Sequence, residues 1–140
     1  MRLMSPREML ALGFVAHLHE MRLTSGAAIK ASREFALQAG APLRYLETSL
    51  QRLARAGILS SARGPLGGYR LAKSGDEITV GDVLRALADD DDDLVHPAMC
   101  GLTRNRVKPA LTAMAELFLK EMDACTIAAF VTMMPLAEVA

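Results

Sequence analysis

Arg63-Gly64-Pro65-Leu66-Gly67-Gly68-Tyr69-Arg70-Leu71 is the stretch whose reading decides the fold. Gly64, Pro65, Gly67 and Gly68 crowd into one short segment, so the backbone must turn sharply there. A β-like run, Ile58-Leu59-Ser60-Ser61, leads in, and Tyr69-Arg70-Leu71 leads out. Two short strands around such a loop predict a β-hairpin. Arg63 precedes the turn and Arg70 follows it. Glycine lets a backbone come close to a polyanion, and arginine supplies the charge that holds it there. A helix ending at Arg55-Ala56-Gly57 stands directly before the hairpin. A basic hairpin behind a helix-turn-helix is the wing of a winged helix.

The preceding residues supply that helix-turn-helix. A helix is expected from about 42 to 56, with Leu46, Leu50 and Leu53 facing inward at helical spacing. Arg44, Thr48, Gln51, Arg52 and Arg55 fall on the opposite side, with Glu47 as the nearby acid. A recognition helix places its N-terminal side chains on base edges in the major groove. Arg44, Tyr45 and Thr48 are therefore the expected base readers. Arg52 and Arg55 are expected at phosphates. Arg63, Gly67, Gly68 and Arg70 complete the expected DNA-binding set from the wing. Upstream, Ser25 is expected to cap a helix over 26–39 with Ile29, Phe35, Ala36 and Ala39 toward the core. Gly40 stops that helix and Pro42 starts the next, which gives the tight turn of the motif. A first helix over 5–20 opens on Ser5, Pro6 and Glu8, the residues of a capping box. Leu10, Phe14, Leu18 and Met21 form its core face. His17 and His19 point in different directions and read as ordinary helix residues.

Beyond the wing, Ser74-Gly75 turns the chain. Thr79 and Asp82 then open a fourth helix with Val80, Val83, Leu84 and Leu87 as its core stripe. Asp89 to Asp93 is an unbroken acidic run, and 89–104 is expected to be a loop. Its carboxylates lack the alternate spacing of a calcium loop and read as a solvated linker. Pro109 is expected to open a last long helix to Ala124. That helix is apolar nearly all round and needs cover on more than one side, which a second copy of the chain would provide. Thr126 is expected to cap a short segment, 127–134, that docks back. The expected fold is mainly α with a small β-hairpin. It comprises a winged helix-turn-helix over 1–88, an acidic linker and sensor loop over 89–104, and a dimerisation helix with C-terminal segment over 105–140.

Charge supports this division. The whole chain is neutral. Residues 1–75 hold eleven Lys and Arg against four Asp and Glu, whereas 76–140 hold five against twelve. A basic first half suits phosphate binding. Hydrophobic residues make up 51% of the chain, with nine methionines and only 4% aromatics, which points to an aliphatic helical core. No apolar run approaches the roughly 20 residues of a membrane span, and no leader sequence is visible. Two cysteines are too few for a disulfide framework. A cytoplasmic location without membrane attachment is expected.

The chain resembles the Rrf2-type bacterial transcriptional regulators, a family that includes the iron–sulfur regulator of cluster biogenesis and the nitric-oxide-sensing repressor. The resemblance rests on Met1-Arg2-Leu3, on Leu43-Arg44-Tyr45-Leu46-Glu47, on the wing stretch, and on Ile78-Thr79-Val80-Gly81-Asp82-Val83. The wing is its specific part. The resemblance implies a dimer whose wing reaches the minor groove and whose long helix crosses to its partner. It also implies an iron–sulfur cluster held by three closely spaced cysteines between the fourth helix and the dimerisation helix. Here that loop has Cys100 alone, and Cys125 lies far along the chain. A cluster normally takes four ligands. Glu8, His96 and Cys100 are the candidate set, and Cys100 by itself is a candidate redox switch. The expectation is that no cofactor is bound.

Two functions from different classes follow. One is a dimeric, sequence-specific DNA-binding regulator, expected to repress, that answers a redox, iron–sulfur or small-molecule signal. The other is a winged-helix module for protein–protein assembly. An enzyme is not expected, because no nucleophile elbow, phosphate loop, metal-ligand pair or paired carboxylates can be found.

Overall fold

The computed structural model describes residues 4–65, 67–88 and 101–135. Six α-helices and one hairpin make up the described fold: α1 (Pro6–Thr24), α2 (Ser32–Ala39), α3 (Leu43–Arg55), β1 (Leu59–Ala62), β2 (Gly68–Leu71), α4 (Val80–Leu87), α5 (Lys108–Asp123) and α6 (Ile127–Met133). The mainly helical winged-helix architecture is the one expected.

α1 begins on the capping box read from the sequence. The Glu8 amide donates to the Ser5 hydroxyl at 3.2 Å, and the Ser5 amide donates to the Glu8 carboxylate at 2.7 Å. The same device opens α4, where Thr79 and Asp82 exchange bonds of 2.9 and 3.0 Å. Each box satisfies two of the amides that a helix start leaves without partners. Phe14 and Leu18 of α1, Leu46, Leu50 and Leu53 of α3, and Val80 and Val83 of α4 are all buried in one cluster. Complete burial of one such side chain contributes roughly 1.5–3 kcal/mol. These residues set α3 against α1 and turn its polar side outward.

The second helix is shorter than expected. Ser25 caps the end of α1 instead of the start of α2, and its hydroxyl donates to the Met21 carbonyl at 2.9 Å. Residues 26–31 are not helical. Lys30 pairs with Tyr69 of β2 through two backbone bonds of 3.0 and 2.9 Å. That long-range pairing overrides the helix-favouring alanines at 27 and 28. As a result Ile29 and Ala39 are exposed and leave the expected core, while Ala36 is buried and Phe35 is half-buried. Gly40 closes α2 in the left-handed region, φ 66°, as its position implies.

The start of the last long helix is also corrected. Residues 101–104 were expected in a loop, yet the chain is helical from Gly101 and passes through a π-turn over Thr103–Val107 into α5. Pro109 has no N–H to offer the carbonyl four residues back, and its ring crowds that carbonyl. The wider turn, in which the Lys108 amide reaches back to Thr103, absorbs the misfit without ending the helix. α6 docks as expected. Thr126 caps it, accepting from the Ala129 amide at 3.1 Å, and Ile127 is fully buried. Its first turn is tied to the loop before α4 by Ile127 N–H to Ile78 O at 2.8 Å and Val80 N–H to Cys125 O at 2.8 Å.

Candidate nucleic-acid interface

Because the leucines of α3 all point inward, Arg44, Thr48, Gln51 and Arg55 are exposed together on its other face. Tyr45 lies at the edge of that face, 37% exposed. The Arg44 guanidinium sits 5.4 Å from the Tyr45 ring centre, and the Arg7 guanidinium of α1 sits 4.5 Å from it. The Thr48 hydroxyl donates to the Arg44 carbonyl at 3.1 Å, which leaves its oxygen lone pairs facing out. Arg52 is different. It is half-buried, and one guanidinium N–H donates to the Leu87 carbonyl at 3.4 Å, at the end of α4.

The wing stands beside α3. Its strands pair antiparallel, Leu59 with Leu71 and Ala62 with Gly68, and Arg63 and Arg70 are both exposed. Gly67 and Gly68 owe their identity to the protein's own backbone. A Cβ on Gly67 would strike the Ala62 carbonyl oxygen, and one on Gly68 would strike the Lys30 carbonyl oxygen. Glycine thus keeps the hairpin slim and lets β2 lie against the strand-like Lys30.

A polar joint fastens wing to recognition helix. The Glu47 carboxylate accepts from the Tyr69 hydroxyl at 3.3 Å and from the Ser32 hydroxyl at the start of α2. Burial, and then the neighbouring Glu47 charge, push the Tyr69 phenol above its ordinary value of 10.0. The Tyr69 ring also packs edge-on against Phe14, centres 6.2 Å apart. Lys30, Ser32, Glu47 and Tyr69 were not singled out as a group from the sequence. No local signal joins them, since 15 and 22 residues separate Glu47 from its two partners.

Behind this joint, His17 tilts against Phe35 with ring centres 5.5 Å apart. Its Nε2 is buried and finds no hydrogen-bond partner among the described residues. Burial, reinforced by the Lys30 charge, holds the imidazole below its ordinary 6.5.

Taken together, an exposed basic face on α3 with a basic wing tied to it is the arrangement a winged helix-turn-helix presents to a duplex. A family model described as "Rrf2: Iron-dependent Transcriptional regulator" matches residues 9–133. The chain belongs to the Rrf2 family.

Among curated Rrf2-type relatives, the HTH-type transcriptional regulator IscR of Aliivibrio salmonicida is 50% identical over 48 residues, 34% of this chain and 29% of that protein. IscR of Photobacterium profundum is 48% identical over 48 residues, 34% of this chain and 28% of its own length. The matched stretch therefore spans under a third of these relatives. The solved structure of CymR, the global cysteine regulator of B. subtilis, superposes with a TM-score of 0.68 at 21% identity, covering 96% of this chain and all of that one. T. potens IscR superposes with a TM-score of 0.65 at 24% identity, covering 98% and 91%. These likenesses show the shared winged-helix fold.

Of the candidate cluster set Glu8, His96 and Cys100, the structure describes Glu8 alone. His96 and Cys100 lie outside the described residues. Glu8 is engaged by the Ser5 amide in the capping box. Cys125 is half-buried at the start of α6, its thiol donating to the Thr126 carbonyl at 3.6 Å. The whole chain has two cysteines, so its donor chemistry does not fit a cluster carried on three closely spaced thiolates. No group of three or more His, Cys, Asp or Glu poised for a metal occurs among the described residues. No helix is long and apolar enough to cross a membrane among them either.

Proposed function

We propose that this Rrf2 protein is a homodimeric, sequence-specific DNA-binding repressor of the cytoplasm. The observation that carries the reading is the joint exposure of Arg44, Thr48, Gln51 and Arg55 on α3 beside the exposed Arg63 and Arg70 of the wing. Arg44, Tyr45 and Thr48 read base edges in the major groove. Arg55 meets the phosphate backbone. Arg52, bonded to the end of α4, is the second phosphate contact on this helix. Arg63 and Arg70 enter the adjoining groove, with Gly67 and Gly68 keeping the wing narrow enough to do so. A module for protein–protein assembly would expose apolar residues where these arginines stand. The protein acts by binding, without catalysis.

The dimer rests on α5. Leu111, Met114 and Leu117 recur on one of its faces at 59%, 65% and 64% exposure, and none of its residues is buried. A second copy covers this stripe, which places two reading heads on a two-fold operator. The acidic segment between Ala88 and Gly101, which carries Cys100, receives the signal. Redox chemistry at Cys100 suits this chain better than the three-cysteine cluster the family implies. The family's iron-dependent description and the relatives named IscR favour a redox or iron-linked signal over other small molecules.

A salt titration of binding to duplex DNA from upstream of its own coding region tests the reading. Affinity is expected to fall steeply as salt rises, with a specific site retained over random sequence. Binding that is indifferent to salt would overturn it. Iron and sulfide analysis of anaerobically purified protein tests the sensor assignment, with neither expected in stoichiometric amount.

A further inference from the structure

Arg7 lies on α1, outside the helix-turn-helix and the wing, yet its guanidinium sits 4.5 Å from the centre of the Tyr45 ring. Tyr45 is in the first turn of α3, and Arg44 approaches the same ring at 5.4 Å. One aromatic side chain thus holds two arginines from two elements at the end of the recognition helix that faces a major groove. Arg7 is exposed, and so is Arg44.

The choice of partner matters. A carboxylate would neutralise an arginine and occupy its N–H donors. An aromatic face orients the guanidinium while leaving its charge and its in-plane donors available. The neighbouring acid, Glu8, already accepts from the Ser5 amide at 2.7 Å. Arg7 also borders two surface depressions. One runs past Pro6, Leu10, Ala41, Pro42 and Tyr45, and the other past Glu8, Thr48, Ser49 and Arg52. It lines both, beside Thr48 in one and Tyr45 in the other, two residues of α3.

We infer that Arg7, stacked on Tyr45, clamps a DNA phosphate beside the base edges that Arg44 reads, which adds the start of α1 to the DNA interface. The inference rests on the DNA-binding reading above. A guanidinium held over a ring face keeps its N–H donors available for bidentate bonding to phosphate oxygens, so less side-chain freedom is lost on binding. Tyr45 then serves as a positioning residue for Arg7 as well as a contact of its own.

The test compares wild type, Arg7→Gln and Arg7→Lys. It uses fluorescence anisotropy over a salt series, on the specific duplex and on a random one, with the thermal midpoint of each protein measured alongside. For Arg7→Gln, the slope of log affinity against log salt is expected to shrink by about 0.9 per half-site. Affinity should fall by a similar factor, about tenfold, on both duplexes, with the melting temperature unchanged. Arg7→Lys restores the slope while recovering only part of the affinity, because an ammonium offers no bidentate fork. An unchanged slope in Arg7→Gln, against a steep wild-type slope, would overturn this inference alone. So would a loss confined to the specific duplex. A wild-type slope near zero would overturn the DNA-binding reading itself.

Discussion

The Tyr69 hydroxyl of the wing donates to the Glu47 carboxylate of the recognition helix at 3.3 Å. Glu47 is the one acid on a helix that otherwise presents arginines outward. It turns toward the wing, where Ser32 gives it a second donor. The single acid of α3 is thus part of the support that ties this helix to the wing and to α2.

Replacing Tyr69 with Phe keeps the edge-on packing against Phe14 and removes only the hydroxyl. A loss of about 0.5–1.5 kcal/mol in urea unfolding is expected. Specific binding should fall more than random-sequence binding, because the angle between wing and helix is loosened. The phenol is held above its ordinary value, so alkaline titration at the tyrosinate band should show one late component of the chain's two tyrosines. That component should vanish in Tyr69→Phe.

Arg44 and Arg70 should separate by role. Arg44→Ala is expected to relax sequence preference, at about 1–3 kcal/mol for the base pair it reads. Arg70→Ala should weaken all sequences alike and flatten the salt dependence. Competition binding against a panel of single-base operator variants would show both effects. Equal losses of specific and random binding in the two variants would break the assignment.

The exposed stripe on α5 predicts that Met114→Glu combined with Leu117→Glu yields a monomer. Two desolvated carboxylates would face their copies across a two-fold axis, which an apolar interface does not tolerate. Sedimentation velocity would report the dissociation. The helical signal should be retained, because neither side chain contributes to the buried core. Affinity for a two-fold operator should fall by far more than affinity for a single half-site.

His17 links stability to pH. Its folded value lies below 6.5, so the unfolded chain binds the proton more readily than the folded one. The stabilising contribution is present in full above pH 6.5 and is lost as pH falls through the lower folded value. The melting temperature should therefore drop between pH 7 and pH 5. In His17→Leu this part of the drop should disappear.

Features set by neighbours a turn apart were legible from sequence. The capping boxes of Ser5 with Glu8 and Thr79 with Asp82, the leucine stripe of α3 and the hairpin all form where their spacing says they should. Misreadings occurred where a distant partner or a non-standard turn decided the outcome. Residues 26–31 carry helix-favouring alanines, yet Lys30 is drawn into pairing with Tyr69, which no local pattern announces. Pro109 has the look of a helix start, yet a π-turn lets the helix run back to Gly101. At the interface the arginines were legible because a helix leaves them opposite its leucines. The support at Glu47, Ser32 and Tyr69, and the stacking of Arg7 on Tyr45, join separate elements and become visible only once the chain is folded.

The pairing of Lys30 with Tyr69, together with the Glu47 carboxylate, pins the wing at two points. In the dimer proposed above, each head would then act as a rigid die, and a signal received between α4 and α5 would have no simple way to recut its face. Under that proposal the signal would alter the separation and tilt of the two dies, through the Arg85 side chain of α4 that grips Asp123 at 2.9 Å and Glu116 at 3.5 Å on α5. Regulation would then be written in the spacer of the operator, with the half-site sequence unchanged between signalling states.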